Sequence, residues 1–249
     1  MNEKTKHFGL IGFPLGHSFS KKFFSEKFEK ENINARYELY PLENIEMFPA
    51  LINANEFTGL NVTIPYKQQV MPYLDELDET ATIIGAVNVI RFSKKNDSKH
   101  LKGYNTDAIG FENSIKPFLK SHHQKALILG TGGASKAVDY SLRKLGLETT
   151  YVSRNNATGI LTYKDLNRDI ISENTVIVNC TPSGMYPKTD ECPEIPYNYI
   201  SPNHLLYDVI YKPDETLFLK KGKEQRACTV NGMEMLNGQA IAAWKIWNS

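Results

Sequence analysis

Apolar and polar positions alternate along the chain in two rhythms. Phe8 to Ile11, Arg36 to Tyr40 and Gly59 to Ile64 have extended patterns, whereas Lys21 to Glu31 and Ile45 to Asn53 place apolar residues at helical spacing. From Lys125 the alternation restarts more clearly. Ala126 to Leu129 predicts a buried strand, Ala134 to Leu145 a helix, and Glu148 to Ser153, Thr175 to Asn179 and Leu205 to Val209 further short strands. Such alternation predicts an α/β fold, with a parallel sheet and crossover helices in the later half. Asp107 to Leu119 reads as a helix joining the halves. Leu236, Ala240, Ala243, Trp244 and Trp247 make an apolar stripe on a final helix, which must pack on something.

With 249 residues the chain is long enough for two modest domains, each with its own core. Lys and Arg number 29 against 28 Asp and Glu, so no net field draws the protein to nucleic acid or to an anionic membrane. A small-molecule partner fits better. The cysteines Cys180, Cys192 and Cys228 are odd in number and widely spaced, which suggests neither a disulfide framework nor a metal site and points to a reducing, cytoplasmic compartment. Gly9, Gly12 and Pro14 break the first apolar stretch, which reads as a strand and turn and not as a signal peptide.

Gly130, Thr131, Gly132, Gly133 and Ala134 form a glycine-rich turn between the strand ending at Leu129 and the following helix. Backbone N–H groups and a helix N-terminus in that context suit the pyrophosphate of a dinucleotide; a tight structural turn is the alternative. The next strand ends at Ser153 and Arg154, about 20 residues on, where NAD-binding proteins usually carry an acid and NADP-binding ones an arginine. Arg154 therefore points to NADP, unless it is a solvated surface residue.

The earlier half carries three polar clusters, each following an apolar strand. Ser18 and Ser20 stand at a helix start, where either could be a simple cap. Asn61 to Lys67 sets polar side chains on alternate positions of a strand end, with Thr63 among them and Lys67 just beyond Pro65. Asn105-Thr106-Asp107 precedes a helix, which Asp107 could merely cap.

Taken together, Gly9 through Ser20, Asn61 through Lys67, Gly85-Ala86-Val87-Asn88, Gly103 through Asp107, Gly130 through Ala134, Asn179 through Met185, Tyr207 through Tyr211 and Asn231 through Gln239 resemble the shikimate dehydrogenase family along nearly the whole chain. The resemblance implies an N-terminal α/β substrate domain (1–108 plus 233–249), a Rossmann-like NADP-binding domain (109–232), and an active site in the cleft between them. It implies that Lys67 and Asp107 are the catalytic pair. Ser18, Ser20 and Tyr211 take the substrate carboxylate, and Thr63, Asn88 and Gln239 bond the ring hydroxyls and their surroundings. Val209 and Gly232 place backbone near the nicotinamide. The chemistry supports the pair independently, since hydride reduction of a ketone leaves an alkoxide that needs a proton and a nearby positive charge. The implied reaction is reversible NADPH-dependent reduction of 3-dehydroshikimate by a monomer or homodimer. A quinate/shikimate dehydrogenase is the alternative.

Overall fold

The computed structural model describes residues 4–16, 18–96 and 98–249. The chain divides into two compact units, Met1–Thr106 with Ala240–Ser249, and Asp107–Gln239.

The first unit contains β1 (Lys6–Gly12), α1 (Phe19–Lys30), β2 (Ala35–Pro41), α2 (Phe48–Ala54), β3 (Gly59–Val62), β4 (Glu76–Leu77), α3 (Glu79–Ile84), β5 (Val89–Lys95) and β6 (Ser98–Tyr104). Its sheet runs β2-β1-β3-β5-β6-β4. β1 lies parallel to β2 and β3, whereas β5 is antiparallel to both β3 and β6. Alternation along β1 sends Phe8 and Leu10 into one core and Ile11 into the other. α1 faces the first of these with Phe24 and Phe28, one turn apart, and carries Lys27 and Lys30 in its last turn, where cations suit the helix dipole. α2 begins at Phe48, later than the periodicity predicts; Ile45–Met47 is a short 3₁₀ turn and Pro49 occupies the first helical turn, where its missing N–H costs nothing.

The second unit contains α4 (Asp107–Ile115), β7 (Lys125–Leu129), α5 (Gly133–Lys144), β8 (Glu148–Ser153), β9 (Ile160–Thr162), α6 (Arg168–Glu173), β10 (Val176–Asn179), β11 (Leu205–Asp208), α7 (Leu217–Glu224) and β12 (Cys228–Val230). All its strand pairs are parallel, in the order β9-β8-β7-β10-β11-β12. This is the doubly wound order in which ligands bind beyond the carboxyl ends of the strands. Ala126 and Ile128 face one core and Leu127 and Leu129 the other, as expected for a strand buried on both faces. α4 stops at Ile115 and not at Leu119, because Pro117 turns Lys116–Phe118 into a 3₁₀ segment.

The last helix, α8 (Met233–Trp247), starts in the second unit and ends in the first. Its apolar stripe finds its partner in the first unit: Ala240, Ala243 and Trp247 join the Phe8 and Phe24 core, with the Trp247 and Phe8 ring centroids 4.8 Å apart. The Trp247 indole N–H donates to the Ile90 carbonyl at 3.1 Å. No helix among the described residues is long and apolar enough to cross a membrane.

Candidate functional site

In the first unit, backbone hydrogen bonds bring three of the sequence-predicted polar residues together. Val62 N–H donates to the Asn88 carbonyl at 2.8 Å, Val87 N–H donates to the Lys67 carbonyl at 2.7 Å, and Thr63 N–H donates to the Ile11 carbonyl at 2.9 Å. The end of β3, the turn bearing Lys67 and the start of β5 are thus laced side by side. Tyr66, buried beside Lys67, anchors that turn by donating its own N–H to the Thr63 carbonyl at 2.9 Å. Lys67 itself is half-buried.

Asn88 is buried and fixes the residue just before Asp107. Its Oδ1 accepts from Thr106 N–H at 2.7 Å, and its Nδ2 donates to Thr106 Oγ1 at 2.9 Å. Asp107 opens α4 and is 7% exposed, low for a carboxylate. Asn61, also buried, donates to the Asn88 carbonyl at 3.3 Å and accepts from the Tyr37 hydroxyl at 2.8 Å. Sequence reasoning named neither Asn61 nor Thr106 as a site residue. Both stood inside quoted motifs, but only the fold shows that they share bonds with Asn88.

Ser18 is the N-cap of α1: its backbone is extended and its Oγ accepts from Lys21 N–H at 3.3 Å. The cap uses an oxygen lone pair and leaves the hydroxyl hydrogen available to a ligand. Ser20 lies within the first turn of the same helix, half-buried.

In the second unit, the glycine loop stands at the carboxyl end of β7. Gly130 has φ 99°, a conformation that side chains disfavour, and its N–H donates to the Val152 carbonyl at 2.8 Å. That bond ties the loop to the end of β8, where Ser153 and Arg154 follow. Gly132 caps α5 without any side-chain bond, and a Cβ there would meet nothing within 4 Å. Thr131 and Gly132 are exposed and Gly133 and Ala134 half-buried, so the start of α5 has open space and no side-chain cap, which fit the pyrophosphate of NADP. Ser153 Oγ accepts from Asn155 N–H at 3.2 Å. Arg154 is exposed, and its charge opposes the burial that pushes up the Tyr163 hydroxyl.

Val209 and Gly232 are in contact: a Cβ on Gly232 would lie 2.2 Å from the Val209 carbonyl oxygen, so only glycine allows the approach. Gly232 N–H donates to the Ile210 carbonyl at 3.0 Å. Tyr211 is half-buried, and burial raises its hydroxyl pKa. Gln239 is buried on α8 and donates to the Leu236 carbonyl at 3.0 Å. Asp208, which sequence reasoning passed over, is wholly buried, and burial pushes its pKa up to about 6 against three hydrogen bonds that hold it down. Burial, with Asp208 nearby, also raises the Cys180 thiol.

Comparison with known proteins adds to this geometry. Residues 10–90 match the shikimate dehydrogenase substrate binding domain. A shikimate dehydrogenase (NADP(+)) of Desulforamulus reducens is 37% identical, the match covering 99% of this chain and 91% of that protein. The crystal structure of shikimate dehydrogenase from Aquifex aeolicus superimposes with a TM-score of 0.87 at 35% identity, covering 100% of this chain and 94% of that one. A quinate dehydrogenase from Corynebacterium glutamicum, solved in complex with NAD, superimposes with a TM-score of 0.85 at 26% identity, over 98% of this chain and 93% of that one. The doubly wound sheet, the open glycine loop at the carboxyl end of β7 and the 37% identity over 99% of the chain to a relative named for NADP agree, and the chain belongs to the shikimate dehydrogenase family.

Proposed function

We infer that this chain is an NADP-dependent oxidoreductase that reversibly reduces the ketone of 3-dehydroshikimate to the alcohol of shikimate, a step of chorismate and aromatic amino acid biosynthesis. The observation that carries this reading is the 37% identity, over 99% of the chain, to an enzyme named for that reaction and cofactor. NADPH, when bound, supplies the hydride. The first turn of α5 and the loop Gly130 to Gly133 hold its pyrophosphate, and Arg154 beside Ser153 takes the 2′-phosphate. Lys67 delivers the proton to the ketone oxygen and Asp107 keeps the ammonium oriented. Ser18, Ser20 and Tyr211 bind the substrate carboxylate; Thr63, Asn88 and Gln239 bond the ring hydroxyls and their surroundings. Residues 1–108 with 233–249 serve the substrate and 109–232 the cofactor, in a cytoplasmic protein.

The test offers shikimate or quinate with NADP or NAD, followed at the absorbance of the reduced nicotinamide. Shikimate with NADP is expected to give the largest kcat/KM. A larger value for quinate with NAD would favour the alternative, to which the Corynebacterium glutamicum structure lends weight.

Ser18 has two duties in this reading, and they separate experimentally. Ser18→Ala is expected to raise the KM for shikimate roughly tenfold or more, the loss of a hydrogen bond to a charged group. It should also cost about 1 kcal/mol of stability as a lost cap. Ser18→Asn, which preserves the cap, should restore the stability and not the KM. If Asn restored both, the cap alone would account for Ser18.

A further inference from the structure

We propose that Asp208 is a positioning residue for the nicotinamide end of the cofactor, acting through Ile210 and Asn179; this rests on the NADP-dependent reading above. Asp208 ends β11 and lies directly across from Asn179, which ends β10; both are 0% exposed. Its Oδ1 accepts from Asn179 Nδ2 at 3.1 Å and from Ile210 N–H at 3.0 Å, and its Oδ2 accepts from the Thr216 hydroxyl at 2.6 Å. The three donors come from three separate segments, and only a carboxylate accepts on both oxygens. A buried carboxylate with neutral donors alone is costly, and here all three donors together offset that cost.

Two of the donors pass the constraint on toward the cofactor. The Ile210 carbonyl accepts from Gly232 N–H at 3.0 Å, and Gly232 is the residue on which the Val209 carbonyl rests. Asn179 Oδ1 accepts from Thr181 N–H at 3.0 Å and from its hydroxyl at 2.7 Å, and Thr181 Cγ2 is the nearest atom to the open side of Gly130, 3.0 Å from where a Cβ would stand. Asp208 therefore fixes at once the two backbone positions expected beside the nicotinamide and the wall behind the glycine loop. Thr216 caps α7 through Leu219 N–H at 3.4 Å, which holds the third donor in place.

Asp208→Asn keeps the volume but presents an amide N–H₂ to donors. It is expected to lower kcat about tenfold, as slight misplacement of a reacting group does, with the KM for shikimate little changed. Shikimate deuterated at the carbon that yields the hydride should then give a larger isotope effect on kcat than in the wild type, because hydride transfer has become slower than the other steps. Loss of folded protein would leave that ratio unmoved. Independently of turnover, the emission of bound NADPH should shift toward that of free NADPH in Asp208→Asn at nearly unchanged affinity. Thr216→Val should reproduce both changes more weakly and Thr216→Ser, which keeps the hydroxyl, should leave both at wild-type values, which covers the case in which Asp208→Asn does not fold. Wild-type isotope effects and emission in folded Asp208→Asn or Thr216→Val would overturn the proposal. If the wild type did not oxidise shikimate, the functional reading would fail and NADPH emission alone would decide the role of Asp208; failure of the wild type to bind NADPH would sink both.

Discussion

Lys67→Ala is expected to lower kcat by roughly 100-fold or more while the KM for shikimate changes less, the size and pattern of a lost general acid/base. The expectation comes from the chemistry of the carbonyl. As hydride reaches carbon, negative charge develops on oxygen, and a group that is both cationic and a proton donor stabilises that charge and then quenches it. The Lys67 backbone is pinned by the bonds from Val87 N–H and around Tyr66, so its side chain starts from a fixed point. Lys67→Arg keeps the charge but not a readily released proton, and should therefore recover binding without recovering turnover. Asp107→Asn should slow turnover as well, since the carboxylate is replaced by a neutral group of similar shape. Near-normal kcat in a folded Lys67→Ala protein would remove the lysine from the reaction.

The parts of the fold legible in the sequence were those with an unbroken apolar rhythm. Ala126 to Leu129, buried on both faces, reads as a strand from its composition, and the terminal stripe from Leu236 to Trp247 reads as a helix needing a partner, which Phe8 and Phe24 supply. The hairpin of β5 and β6 was not legible. Its outer half is polar, and Ser93 to Asn96 with Ser98 and Lys99 are exposed, so the pairing of Ser93 with His100 and Lys94 with Lys99 leaves no alternation to read. The ends of α2 and α4 shifted for a local reason, a proline that periodicity ignores. The candidate site divides in the same way. Gly130 to Ala134 and Arg154 announce themselves by residue type and spacing, whereas Asp208, Asn179 and Thr216 are ordinary polar residues whose meaning lies in burial and mutual bonding. Burial of a single polar side chain at a strand end leaves no periodic trace.

Arg154 carries the second large expectation, because it directly follows β8, where the proposed function sets the 2′-phosphate of the cofactor. The bond from Gly130 N–H to the Val152 carbonyl sets the end of β8 beside the glycine loop, so a cofactor whose pyrophosphate sits on α5 has its adenosine ribose near Ser153 and Arg154. A guanidinium bonds a 2′-phosphate in forked geometry and offsets its charge, whereas NAD offers only a neutral hydroxyl there. Arg154→Ala is expected to weaken NADPH by about 1.5 to 3 kcal/mol, the range for a hydrogen bond to a charged group, and to leave NADH nearly unchanged. Arg154→Asp should go further and reverse the preference, since a carboxylate repels the phosphate and accepts bonds from a free ribose. Because Arg154 is exposed, the alanine effect should shrink as salt rises, while the reversal by aspartate, which rests on hydrogen bonds as well as charge, should survive. The measurement is kcat/KM for NADP and NAD with the wild type and both variants at low and physiological ionic strength. An NADP-to-NAD ratio unchanged in both variants would make Arg154 an ordinary surface residue and move the cofactor choice to the loop itself.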